Sequence, residues 1–182
     1  MSLPIPSGSI LVLDTMVLVH FALADRLDVL KDLLVGAECW TTQAVLEELR
    51  SGAEVHPEIA AACKADWLRT ARLDTLVEMR CFATWVRRIG AGERHLGEAS
   101  VLAAAELRNG IAITDDRQAT KVARAYGARV HGTIWLLASG CRTGKLTEVG
   151  ASNLIDALRS TGARMPCSGA DFPAYARRHN LL

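Results

Sequence analysis

Two short apolar runs that each end on an aspartate constrain this chain more than any other feature. Ile10-Leu11-Val12-Leu13 leads straight into Asp14, and Ile111-Ala112-Ile113-Thr114 leads straight into Asp115. Neither run alternates polar with apolar side chains, as a strand with one wet face would. Both are short and carry branched residues, so each predicts a strand buried on both faces. A helical pattern covers residues 16–34, and "AECWT" at 37–41 predicts a second strand. Thr41 or Thr42 can cap the next helix, which runs to about Arg50 and is closed by Gly52. Another helix starts at Pro57, residues 67–73 read as extended, and a helix within 73–89 ends at Gly90. A helix over 97–108, an Asn109-Gly110 turn, the second apolar run and a helix over 117–126 ended by Gly127 follow. A strand near 129–131 and the helix "TIWLLASGC" complete the pattern. Apolar strands alternating with helices imply an α/β fold, a three-layer α/β/α sandwich around a central parallel sheet.

The 182 residues, half of them hydrophobic, suffice for one well-packed domain. Residues 1–146 hold the alternating pattern; 147–182, with "ASNLIDALRST" and "ADFPAYARRHNLL", read as a helical C-terminal extension packed on the same domain. The 21 basic and 20 acidic residues leave a net charge of +1, so any site for a polyanion must be local. The five cysteines form no CxxC pair. Their odd number argues against a disulfide framework and for a reducing, cytoplasmic setting. The first residues lack a basic leader pattern. The run 10–24 is broken by Asp14 and His20 and is too short to span a bilayer, so no membrane association is expected.

An unpaired ionised aspartate does not survive inside an apolar run, so Asp14 must sit at an exit from the core or beside a cation. In open α/β sheets ligands bind beyond the carboxyl ends of the strands, which is where Asp14 and Asp115 fall. Taken singly, Asp14-Thr15 and Asp115-Asp116 are equally well explained as helix caps. Glu98 lies in the first turn of a helix of small residues, where a negative charge is favoured. Glu48 is placed roughly 110° from the centre of its helix's apolar face and Glu47 roughly 150°, so Glu48 borders the core and Glu47 faces water. Together Asp14, Glu48, Glu98 and Asp115 would make an oxygen-only site suited to Mg²⁺ or Mn²⁺. The histidines at 20, 56, 95, 131 and 179 are isolated and offer no zinc pattern. Crowded carboxylates are stable only with a cation or with raised pKa values. Phosphodiester hydrolysis by metal-activated water suits such a set and needs no Ser, Cys or His nucleophile. GxSxG, P-loop and GxGxxG patterns are absent.

These segments, "VLDTMVLVHF", "LEEL", "LGEASVLAAAE" and "AITDDRQATKVARAYGARVHGTIWLLASGCRTGKL", resemble the PIN domains, the metal-dependent ribonuclease fold of VapC-type toxins. The resemblance covers residues 9–146 and is strongest to PIN-like members with a strand ending in an acidic pair and a later Gly-Thr turn. It implies an Mg²⁺- or Mn²⁺-dependent endoribonuclease, a homodimer and, for a toxin, an antitoxin that covers the cleft. Carried over by motif position, Asp14 and Glu98 hold metal directly or through water, and Glu48 binds metal or orients the water. Asp115 completes the set with Asp116 as its substitute, and Thr15 and Thr114 position the acids. The segment after 146 is not required by the minimal fold.

RNA binding needs local positive charge. Arg117, Lys121 and Arg124 form one stripe beside the acidic rim, and Arg87, Arg88 and Arg94 a second candidate patch. Solvated helix faces account for both stripes equally well. The four tryptophans read as core. Besides a nuclease, the sequence admits a non-catalytic PIN-fold module that binds RNA or protein. A receiver-like or phosphoryl-transfer domain fits less well, because the DxD pattern fails at Met16.

Overall fold

Strand β1 (Ile10–Leu13) hydrogen-bonds to a parallel neighbour on each side, β2 (Glu38–Thr42) and β4 (Ile111–Ile113). It is the centre of a five-stranded, all-parallel sheet ordered β3-β2-β1-β4-β5, with β3 (Arg69–Ala71) and β5 (Val130–His131) at the edges. This computed structural model describes residues 5–90 and 95–182. Leu11, Val12, Leu13, Ala112 and Ile113 have no solvent exposure, which is why neither run alternates: helices cover both faces. Helices α5 (Leu76–Ile89), α6 (Leu96–Leu107) and α7 (Arg117–Ala125) pack on one another as one layer. On the other side α1 (Thr15–Leu23), α2 (Leu27–Leu34), α8 (Thr133–Arg142) and α9 (Glu148–Ser160) form a second. The three-layer sandwich expected from the sequence is the fold observed.

Local chemistry sets the element ends. The single helix expected over 16–34 is two, because Asp25 takes a left-handed conformation (φ 55°). There the Asp25 and Arg26 N–H groups donate to the carbonyls of Ala22 and Phe21, satisfying the last turn of α1. Thr42 caps α3 (Gln43–Val55) by accepting from the Val45 N–H, but Gly52 does not close it. A Cβ at Gly52 would lie 3.2 Å from Ile59 Cδ1, so this glycine makes room for the 3₁₀ turn Pro57–Ile59 that folds back onto α3 and leads into α4 (Ala60–Cys63). Thr75 and Glu78 form a capping box at the start of α5, and Gly90, at φ 70°, ends it.

After β5 the chain continues through α8 into α9, which lies against both α8 and α1. His20 Nδ1 and Thr161 Oγ1, 2.9 Å apart, join α1 to the end of α9. Phe172, at the start of α10 (Phe172–Arg178), is fully buried. Among the described residues no helix is long and apolar enough to cross a membrane.

The strand order carries a functional consequence. From β1 the chain builds outward to β3 on one side, then returns to place β4 and β5 on the other. The reversal between β1 and β4 opens a crevice at their carboxyl ends. Asp14 and Thr114 are the first residues beyond those ends.

Candidate functional site

Asp14 sits in this crevice at 2 % exposure. Its extended backbone makes it the N-cap of α1, with Oδ1 accepting from the Thr15 N–H at 2.8 Å. Oδ2 accepts from Thr114 Oγ1 at 2.7 Å, which ties the exit of β1 to the exit of β4. Burial pushes the Asp14 carboxyl up to about 7; Thr114 opposes the rise and the charge of Glu98 adds to it, with Thr15 and Glu48 contributing less. The cap reading and the rim reading of Asp14 are therefore both realised.

Glu48 was expected at the core border but is solvent-exposed, as is Glu47. The two still differ, because Glu48 accepts a short hydrogen bond from Thr15 Oγ1 and so turns toward the rim. Surrounding protein raises the Glu48 pKa; Thr15 lowers it, Glu98 adds to the rise, and the Gly97 N–H lowers it again. Glu98 is joined by His95, whose Nδ1 lies 3.5 Å from Oε1. Asp14, Glu48 and Glu98 thus feel one another's charge although 84 residues separate the first from the last.

Gly97 is what admits Glu48. A Cβ there would stand 2.6 Å from Glu48 Oε1. Gly97→Ala is expected to change stability by less than about 1 kcal/mol, since alanine favours the helix while only a side-chain tip must move. A crystal structure of the variant should show Glu48 displaced from Thr15; an unmoved Glu48 would refute the assignment.

Asp115 is held differently. Its Oδ1 accepts from the Thr133 N–H at 2.8 Å and its Oδ2 from Thr133 Oγ1 at 2.5 Å, at the start of α8. Gly132 permits this approach, since a Cβ would lie 2.5 Å from Asp115 Oδ1. The Gly-Thr turn noted in the sequence is thus the seat of Asp115. Asp116 is the N-cap of α7, accepting from the Ala119 N–H at 2.6 Å. Gly97 was not singled out from sequence, and Thr133 only as part of the Gly-Thr turn with no partner assigned; spatial proximity reveals their roles. Burial lowers the His20 pKa, with Asp115 opposing. His131 is pushed down to about 4 by burial and by Arg124, and stacks on Trp135 at 4.0 Å between ring centres.

The oxygen donors suit a hard cation by chemistry. Among the described residues, however, no three His, Cys, Asp or Glu side chains converge closely enough to hold a metal ion. Each acid is engaged by donors of the protein itself, and the arrangement is not a ready coordination sphere. Arg94, part of the second basic patch, lies outside the described residues. Arg88 is stacked over Trp85 and Tyr126 and bonded to Glu106, so its charge is already engaged.

No curated protein matches the chain. A family model described as a PIN domain matches residues 10–169, from the first residue of β1 to beyond α9. With a parallel sheet, an acid at the exit of its central strand and a match across most of its length, the chain belongs to the PIN-domain family.

Proposed function

We propose that this protein is a PIN-fold module that binds RNA along the cleft running from the carboxyl rim of the sheet over α7. One observation carries the reading. Arg117, Lys121 and Arg124 are exposed, enter no ion pair among the described residues, and line one cavity together with Asp115. On a chain with net charge +1, such a stripe is a local site for phosphates. The reading is tested by fluorescence anisotropy with a labelled oligouridylate across a salt series. Lys121→Ala combined with Arg124→Ala should lower the slope of log K against log salt by about one per lost phosphate contact. Absence of binding by the wild type at low salt would overturn it.

A second reading is a Mg²⁺- or Mn²⁺-dependent endoribonuclease, acting as the toxin of a toxin–antitoxin pair, with homodimerisation and an antitoxin over the rim. It is favoured by Asp14, a carboxyl whose protonation is promoted chiefly by burial and then by the charges of Glu98 and Glu48; a divalent cation would stabilise the ionised cluster. Cleavage of RNA only with added Mg²⁺ or Mn²⁺, abolished in Asp14→Asn while binding persists, would carry this reading. No cleavage across varied RNAs would leave the binding module.

A further inference from the structure

The cleft beside α7 has a second wall that the sheet and its flanking layers do not supply. A cavity of about 770 Å³ is lined by Lys121 and Arg124 of α7 and, from the C-terminal segment, by Arg164, Tyr175 and His179. A neighbouring cavity of about 430 Å³ is lined by Asp115, Asp116 and Arg117 together with Arg159 and Arg164. Asp115, Arg117 and Arg164 line both, so the two spaces meet at the rim. Arg159, Arg164 and His179 are exposed, and neither arginine enters an ion pair among the described residues. Tyr175 and His179 lie ring to ring, 4.3 Å between centres.

Cations gathered across a concave space repel one another unless an anion enters between them. A protein partner would supply carboxylates for the arginines but has no general need of an aromatic ledge beside them. A nucleic-acid strand answers both features: its phosphates meet the cations, and an unstacked base lies on an aromatic face.

We propose that Arg164 and the Tyr175–His179 pair form a phosphate-and-base subsite, by which the C-terminal segment holds an unpaired nucleotide of an RNA strand leading to the rim. This rests on the RNA-binding reading above and adds to it residues beyond the sheet and α7.

The test uses the full chain and a fluorescein-labelled oligouridylate in the anisotropy assay. Arg164→Ala should weaken binding about fivefold or more and reduce the salt slope by about one. His179→Ala, at an exposed position, should weaken binding about fivefold through lost stacking, with the salt slope unchanged. Arg50→Ala, an exposed arginine on α3, removes the same charge away from the cleft and should leave binding at the wild-type level. If the wild type binds while Arg164→Ala and His179→Ala bind equally well, the subsite is overturned and the RNA-binding reading stands. If the wild type does not bind, the broader reading fails first.

Discussion

Asp14→Asn is expected to stabilise the protein by about 2 to 4 kcal/mol at pH 8 and to change it little at pH 4. The folded carboxyl titrates near 7, raised from an ordinary 3.8 chiefly by burial. Between those values the folded state keeps a proton that the unfolded state has lost. Wild-type stability therefore falls as pH rises through this window and levels off above it. Asparagine keeps an acceptor for the Thr15 N–H and can donate to Thr114 Oγ1, yet has no charge to bury. Urea unfolding at several pH values reads the difference. Parallel pH profiles for wild type and variant would show that Asp14 is not the group responsible. Mn²⁺ provides a further comparison: if the rim binds it through Asp14, it should raise the wild-type melting temperature at pH 8 and leave Asp14→Asn unmoved.

Phe172→Ala should cost about 3 to 5 kcal/mol, as expected for a fully buried phenylalanine. The residue lies in α10, beyond the last strand, so this variant tests our proposal that residues 147–182 fold as one unit with the rest. On that proposal, urea unfolding followed by tryptophan fluorescence shows a single transition at a lower midpoint. A wild-type midpoint, with only the C-terminal segment trimmed by protease, would make that segment a separate appendage. Val149→Ala, at a position 70 % exposed in α9, should stay within about 0.5 kcal/mol of wild type.

The central strands β1 and β4 were legible because strands buried on both faces leave a local trace, a short run with no polar alternation. Thr42 and Gly90 were similarly informative, since capping is a contact between residues three or four apart; the Thr75–Glu78 capping box was not singled out. Gly52 misled for a related reason. Glycine marks helix ends when a left-handed residue is needed, but here it serves close packing with Ile59, a partner that local sequence does not identify. The break at Asp25 was missed because a non-glycine residue takes the left-handed conformation.

By itself the sequence determined the strands, some of the caps, the α/β class and the presence of acids at two strand exits. All of these are written in contacts between near neighbours and in periodicity. Only the tertiary structure decided which acids meet. It joined Asp14 to Thr114 across the β1–β4 crevice, turned the exposed Glu48 toward the rim through Thr15 and Gly97, and gave Asp115 to Thr133 instead. It also brought Arg164 and His179 opposite α7. The reason is physical: a carboxylate's partners are set by distances of a few ångströms between segments many residues apart, and those distances exist only once the sheet order and helix packing are complete.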